Sequence, residues 1–167
     1  ILKDALRIIS LPFQPSRIML DNIIANPVYT YNYEDIQLQV DNPELNMFVD
    51  YFNHKIQIEE YSEYSIIGIS IFDLSQVIPG LTLAKYLKAN TNAHITLGGN
   101  YIYKIRDSLK EIPEFFDLFC DSVQLGDGEI AAVRLAEIIR DGESLEKAYS
   151  LIYKNSEGEI IETQTAP

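Results

Sequence analysis

Three short apolar runs, each followed by a turn of small residues, constrain the fold of this chain more than any other feature. The run over residues 66–72 contains Ser70, and the run over residues 95–97 leads directly into Gly98 and Gly99. The third run, residues 123–125, leads into the turn Gly126-Asp127-Gly128. Helical patterns separate the runs, and this alternation predicts βαβ units. We therefore predict an α/β fold in which a mainly parallel sheet is flanked by helices.

The segments around these runs predict further elements. Residues 6–11 predict a first strand, although a helical stripe of apolar residues fits the same segment. Residues 28–33 predict a loop, and residues 36–40 alternate like a strand. The strand at 66–72 is predicted to be central and covered on both faces. Helices are predicted over residues 17–25, from Asn42 toward Glu59, from a cap at Ser75, over residues 101–112 and over residues 129–140, the last burying Ala132, Leu135, Ala136 and Ile139.

The end of the chain predicts a β-hairpin. Residues 151–153 and 159–161 are apolar, and the turn residues 155–158 lie between them. We divide the chain into an α/β domain, residues 1–148, and a hairpin with a linker, residues 149–167. Because the chain starts at Ile1 and ends in a linker-like tail, we expect it to be the excised N-terminal domain of a larger protein.

Composition and charge disfavour several classes of partner. Lys and Arg number 13 against 25 Asp and Glu, for a net charge of −12, which repels nucleic acid and anionic membranes. A single cysteine, Cys120, excludes an internal disulfide, a cysteine-rich zinc site and an iron–sulfur cluster. The chain has no membrane-length apolar run and no signal-peptide pattern, so we predict a cytoplasmic location.

The small residues after the three strands are the candidate site. In an open α/β sheet, ligands bind beyond the carboxyl ends of the strands. Glycine allows a flat ligand or a phosphate to approach the backbone, and the amides that open the helix at Glu129 can donate to an anion. The alternative interpretation is that these glycines only form tight turns. The sequence leaves both interpretations open.

Five segments together resemble a known family. They are Gly68-Ile69-Ser70, Gln76-Val77-Ile78-Pro79, residues 83–88, Leu97-Gly98-Gly99 and residues 121–129. Their succession resembles the cobalamin-binding domain, of flavodoxin- or Rossmann-like type, that precedes the catalytic barrel of many radical SAM enzymes. The C-terminal hairpin is similar to the one that leads those proteins into the barrel, and the opening of the chain resembles members from peptide-modifying clusters.

The resemblance implies a function and a set of site residues. The domain would hold cobalamin and position it for methyl or electron transfer, next to a barrel that carries the 4Fe-4S cluster and S-adenosylmethionine and acts on a peptide or small molecule. Ser70-Ile71-Phe72 is similar to the family's S-x-L, and its spacing to Gly98-Gly99 is the family's. The implied cofactor-binding residues are Ser70, Gln76, Gly98, Gly99, Gly126, Gly128 and Glu129.

Two departures from the family limit what the resemblance implies. The D-x-H-x-x-G motif that places a histidine under the cobalt is missing, and the nearest segment, residues 21–26, lacks both its histidine and its glycine. The single cysteine cannot hold a radical SAM cluster, so this chain does not cleave S-adenosylmethionine alone. The alternatives are a degenerate domain without cofactor that serves structure or substrate docking, and a free-standing flavodoxin-like domain, whose phosphate loop is absent.

The remaining chemistry-bearing residues have simpler interpretations. We interpret His54 and His94 as surface or helix-end histidines rather than metal ligands, and Cys120 as an inert buried thiol. The group Asp117, Asp121 and Asp127 is interpreted as solvated. Tyr29, Tyr31 and Tyr33 are interpreted as loop aromatics, with a ligand cover as the alternative.

Overall fold

The structure is a computed structural model, and it describes residues 1–14, 16–21, 23–24, 32–126 and 128–166. The predicted loop at 28–33 and the segment 21–26 lie largely outside these residues, as do Tyr29, Tyr31 and Asp127. The chain divides into two compact units. The first comprises Ile1–Ile56 and Asp73–Leu83, and the second comprises Gln57–Phe72 and Ala84–Pro167. No helix among the described residues is long and apolar enough to cross a membrane.

The first unit is mostly helical. It contains α1 (Leu2–Ile9), the two-residue antiparallel strands β1 (Arg17–Ile18) and β2 (Ile23–Ile24), α2 (Tyr33–Asp41), α3 (Met47–Lys55) and the start of α4 (Val77–Asn90). The strands predicted at 6–11 and 36–40 are therefore wrong, and so is the helix at 17–25 where it is described. For residues 6–11, the alternative prediction of a helix is confirmed over the part that belongs to α1.

Local hydrogen bonds explain the helix over residues 36–40 and the later start of α3. Asn32 caps α2 by accepting from the Asp35 amide at 2.8 Å, and the acidic first turn suits the positive end of the helix dipole. Asn46, rather than Asn42, caps α3 by accepting from the Phe48 amide at 3.1 Å. A capping signal next to a short alternating segment thus favours helix over strand.

Asp73, rather than Ser75, begins the turn that leads into α4. Its Oδ1 accepts from the Ser75 amide at 2.9 Å and from the Ser75 hydroxyl at 2.8 Å. In return, Gln76 Oε1 accepts from the Asp73 amide at 3.3 Å, which completes a capping box. Gln76 is thereby tied to the start of its own helix.

The second unit is built on one five-stranded sheet. Its strands, in both chain and spatial order, are β3 (Ile66–Ser70), β4 (His94–Gly98), β5 (Ser122–Gln124), β6 (Leu151–Lys154) and β7 (Ile160–Glu162). The first three are parallel, and the hairpin β6–β7 joins β5 in the antiparallel sense. The helices are α5 (Asn100–Leu109), α6 (Pro113–Leu118) and α7 (Gly128–Asp141). The predicted α/β fold, with a mostly parallel sheet and C-terminal strands, is confirmed.

The prediction that the strand at 66–72 is central is wrong. In the part of the chain that the structure describes, β3 pairs only with β4 and forms an edge of the sheet. Gly68 and Ser70 are exposed, and Ile66, Ile67 and Ile69 are half-buried. An apolar run thus indicates a strand here without indicating its place in the sheet.

The two faces of strands β3 to β5 differ in character. Because side chains alternate along a strand, one face carries apolar residues throughout. These are Ile67, Ile69, Ile95, Leu97 and Val123. The opposite face, which we call the small face, carries Gly68, Ser70, Thr96, Gly98, Ser122 and Gln124, with the larger Ile66 and His94 at the amino-terminal ends of β3 and β4.

Helix α7 packs on the hairpin end of the sheet. Leu135 and Ile138 are fully buried in a cluster with Ala148, Leu151 and Tyr153. The predicted buried face of α7 is correct in part. Leu135 is buried, but Ala132 is exposed, and Ala131 and Ile138 are buried instead. The apolar residues of the hairpin attract the helix, and the small face offers it little to bury.

Leu135 should therefore be a main anchor of the second unit. Replacing Leu135 by Ala should lower the free energy of unfolding by about 2–5 kcal/mol, because the change leaves a cavity in a fully buried cluster. Val133→Ala on the exposed side of α7, where the side chain is 61% exposed, should change it by about 0.5 kcal/mol or less. Urea denaturation measures both, and equal effects of the two changes would contradict this packing.

Candidate functional site

A groove lies over the small face at the carboxyl ends of β3, β4 and β5. It has a volume of about 340 Å³. Its floor includes Gly68, Ser70, Thr96, Gly98 and Gln124, and its wall on α7 consists of Ala132, Leu135 and Ala136. The facing side chains are small and leave the space between the sheet and the helix unfilled.

The strand register brings the floor residues together. Gly68 lies beside Thr96, and Ser70 lies beside Gly98. A Cβ atom on Gly98 would lie 3.4 Å from the Gln124 carbonyl oxygen, tighter than most van der Waals contacts, so a larger residue would strain the floor. At Gly68 a Cβ would meet only Thr96 Cγ2, at an ordinary 3.8 Å. The two glycines therefore differ: Gly98 is packed against its neighbour, and Gly68 leaves room.

Gln124 is the polar residue held most firmly in the floor. Gln124 is only 8% exposed. Its Nε2 donates to the carbonyl oxygens of Tyr149 at 3.0 Å and Ser150 at 2.8 Å. The other atom of the amide, Oε1, is buried and accepts no hydrogen bond from any described residue. A buried acceptor of this kind is unusual, since nearly all such groups in folded proteins are paired.

Ser70 and Gly98 are the predicted site residues that line the groove. Gly126, Gly128 and Glu129 lie in the turn after β5 and the first turn of α7, where a Cβ on either glycine would meet nothing within 4 Å. Glu129 is exposed. Gln76 belongs to the first unit, where its side chain completes the capping box.

Gly99 has a clear structural reason to be glycine. Its φ of 98° is unfavourable for other residues, and an added Cβ would lie 2.5 Å from the Ile71 carbonyl oxygen. That oxygen accepts from the Tyr101 amide at 3.2 Å, and the Ile71 amide donates to Gly98 at 2.8 Å. For Gly99 the tight-turn interpretation accounts for the residue without a ligand.

A polar network lies at the opposite, amino-terminal end of the strands. His94 begins β4, and its Nε2 lies 2.8 Å from Ser122 Oγ, whose hydroxyl in turn donates to Thr96 Oγ1 at 3.0 Å. Asp121 forms an ion pair with Lys88 and accepts from the Ile95 amide at 2.7 Å. The interpretation of Asp121 as a solvated carboxylate is therefore wrong.

The charges around His94 act in opposite directions on its protonation. Burial lowers the pKa of His94 below its ordinary value, the Asp121 carboxylate raises it, and the Lys88 ammonium lowers it further, with a net lowering. The imidazole is thus held neutral in the fold. It lies at the end of the sheet away from the groove, so His94 does not serve as a ligand there.

The other nucleophilic or metal-binding residues stand apart from the groove. Cys120 is fully buried, and burial raises the pKa of its thiol, as expected for an inert cysteine. His54 is exposed, and its Nδ1 lies 2.7 Å from the Asp50 carbonyl oxygen. Among the described residues, no group of three His, Cys, Asp or Glu side chains could hold a metal ion.

Of the five floor residues named above, three were not among the predicted site residues: Gly68, Thr96 and Gln124. The signal that could have found them is the period of two in a strand. Counting back by two from Ser70 and Gly98 gives Gly68 and Thr96, and the equivalent position in β5 is Gln124. The turn glycines attract attention first, while the groove depends on residues inside the strands.

The structure predicts a large difference between two glycine substitutions. Gly99→Ala should lower the free energy of unfolding by about 3 kcal/mol or more, because it combines an unfavourable φ with a backbone clash. Gly142→Ala, at a φ of 64° with nothing within 4 Å, should cost about 1–2 kcal/mol. Urea denaturation of the two variants compares them, and a cost at Gly99 no larger than at Gly142 would show that the close approach to Ile71 is absent.

His94 should make stability depend on pH. The unfolded chain binds its proton more readily than the folded chain, so this contribution is fully present above the ordinary value of 6.5 and is lost as the pH falls below it. The unfolding free energy should therefore fall as the pH is lowered below about 6.5, and His94→Gln should remove the part of this fall that is due to His94. His54→Gln, at an exposed histidine, should retain it. Denaturation across this range checks the prediction, which fails if His94→Gln follows the wild-type curve.

The chain was compared with known proteins. No protein-family profile and no curated protein matches it. Among solved structures it is similar to the radical S-adenosylmethionine methyltransferase TsrM from Kitasatospora setae with cobalamin and a 4Fe-4S cluster bound, at 18% identity over 66% of this chain and 20% of that chain, with a TM-score of 0.54. A structure of TsrM from the same organism with tryptophan substrate and the analogue aza-SAM gives 16% identity over 72% and 22%, with a TM-score of 0.51. This chain thus spans about a fifth of those proteins, and the likeness shows a related α/β fold.

Proposed function

We propose that this chain is a corrinoid-binding domain of the cobalamin-binding type, which works beside a radical SAM domain. The observation that carries the proposal is the groove at the carboxyl ends of three parallel strands, where α/β folds bind ligands. The fold is related to part of TsrM, a methyltransferase whose solved structure holds cobalamin. The position of the groove supports ligand binding, and the relationship of the fold supports a corrinoid as that ligand.

The groove residues fit an uncharged arm of a corrinoid. Gly68 and Gly98 keep the floor flat, and Ala132 and Ala136 keep the wall thin. The volume of about 340 Å³ is near the lower limit of ligand pockets, so the groove suits one arm of the cofactor and leaves the corrin ring outside. The buried Gln124 Oε1 supplies an acceptor for that arm.

The predicted site residues take different parts in this proposal. Ser70 and Gly98 contact the arm in the groove, while Gly126, Gly128 and Glu129 form the turn at the same strand ends. Gly99 holds the turn after β4 in place. Gln76 keeps its capping role at the start of α4 in this proposal.

The protein supplies binding and orientation, and a bound corrinoid supplies methyl or electron transfer at its cobalt. None of the groove residues is a histidine, so the lining provides no imidazole ligand to the metal. The sequence has one cysteine, so a 4Fe-4S cluster and S-adenosylmethionine would belong to the radical SAM domain. The substrate, a peptide or small molecule, would be bound there too.

A second candidate is a degenerate domain that docks substrate or supports the enzyme without a cofactor. Gly99 favours this candidate, because its backbone packing accounts for one glycine of the Gly98-Gly99 pair without any ligand. Phe72, which stands where the family's motif has leucine, is 66% exposed just after β3. These two candidates differ in one measurable property, the retention of a corrinoid.

Gly68→Val should abolish corrinoid binding and leave the fold intact. Wild-type protein mixed with hydroxocobalamin should keep the visible corrinoid spectrum through gel filtration. The valine branches would fill the floor of the groove, while valine itself suits a strand and the Cβ site is open. We expect at least a tenfold weaker affinity, measured by equilibrium dialysis, with an unchanged circular dichroism spectrum.

Ala89→Val is the matched control, because it adds the same methyl groups on the exposed side of α4, away from the groove. It should bind as wild type does. A colourless wild-type protein peak would rule out the corrinoid and favour the degenerate domain. Binding by wild type and by Gly68→Val with equal affinity would place the corrinoid elsewhere on the chain.

A further inference from the structure

The orientation of the Gln124 side-chain amide is fixed by its two donor hydrogen bonds. Nε2 faces the carbonyl oxygens of Tyr149 and Ser150, at 3.0 and 2.8 Å. Turning the amide over would bring Oε1 against the same two oxygens, which cannot donate. Oε1 therefore remains an acceptor that the described residues do not satisfy.

The groove that Gln124 lines disfavours anionic groups. Its lining, among the described residues, contains no lysine, arginine or histidine. The chain as a whole has a net charge of −12, so a carboxylate or phosphate entering the groove would meet an acceptor and an acidic protein. A neutral N–H or O–H group, in contrast, would satisfy Oε1 at the loss of one bond to water.

The rest of the lining favours a flat ring. Leu135 is fully buried, and together with Ile66 and the alanines of α7 it gives the groove an apolar interior. The floor has hydroxyl groups at Ser70 and Thr96, and the Thr96 oxygen already accepts from Ser122. Gln124 is thus the acceptor best placed to choose among ring systems of similar size.

We infer that Gln124 selects a ligand whose arm in the groove is a flat ring bearing a neutral hydrogen-bond donor. This inference rests on the proposed function, in which that arm is the base at the end of the corrinoid's nucleotide tail. The chain should accordingly prefer a cobamide with a hydroxylated base over one in which the same oxygen is methylated.

The test uses two cobamides that differ by one methyl group, with 5-hydroxybenzimidazole or 5-methoxybenzimidazole as the base. Wild type should bind the hydroxy form about 5- to 10-fold more tightly, the usual effect of one net hydrogen bond. Gln124→Met, which keeps the length of the side chain and removes Oε1, should bring that ratio close to one. The ratio is informative because a general loss of stability weakens both ligands equally.

Equal binding of the two cobamides by wild type, or an unchanged ratio in Gln124→Met, would overturn the inference and leave the proposed function standing. Failure to bind either cobamide would overturn the proposed function. In that event the inference is tested with the free bases 1-methyl-5-hydroxybenzimidazole and 1-methyl-5-methoxybenzimidazole, whose binding is compared by ligand-observed NMR. A preference for the hydroxy base that is lost in Gln124→Met supports the inference, and the absence of any preference overturns it.

A measurement on the wild-type chain covers the case in which Gln124→Met does not fold. The carbon of the Gln124 side-chain carbonyl, followed by NMR, should move downfield with the hydroxy ligand and stay in place with the methoxy ligand. Equal shifts with both ligands would contradict a hydrogen bond to Oε1.

Discussion

The unequal faces of the central sheet determine the rest of the second unit. Strands β3 to β5 carry isoleucine, leucine and valine on one face, whereas the other face is mostly glycine, serine, threonine and glutamine. The large apolar side chains on the second face are Ile66 at the start of β3 and Leu151 and Tyr153 of the hairpin, and Leu135 and Ile138 of α7 pack there. Because burial of apolar area is the main attraction between a helix and a sheet, α7 covers the hairpin end and leaves a groove over the small face.

Ser150, just before the hairpin, connects the hairpin to the floor of the groove. Ser150 has a φ of 51°, which costs a residue other than glycine about 1–2 kcal/mol. Its carbonyl oxygen accepts from the Leu125 amide at 2.7 Å and from Gln124 Nε2 at 2.8 Å, and its amide donates to Gln164 at 2.7 Å. These bonds offset the strain and fix the floor of the groove, so the hairpin helps to hold the candidate site.

The sequence was most informative where apolar runs and turn glycines occur together. There it predicted β4, β5, the hairpin and α7, and it predicted Ser70 and Gly98, which line the groove. It failed over residues 36–40, where an alternating pattern of five residues is too short to outweigh a helix cap at Asn32. Strand periodicity could have placed Gln124 in the floor, but its unsatisfied acceptor could not be predicted, because that depends on neighbours, Tyr149 and Ser150, that only the folded chain brings close.

The most direct test of the account is backbone-amide NMR of the wild-type chain during titration with hydroxocobalamin. The account predicts that the resonances of Gly68, Gly98, Gln124 and Ala132 shift together and saturably, while those of His94 and Asp121, at the other end of the strands, stay in place. Shifts centred on His94 and Asp121, or none at all with cobalamin in excess, would contradict the assignment of the groove as a corrinoid site.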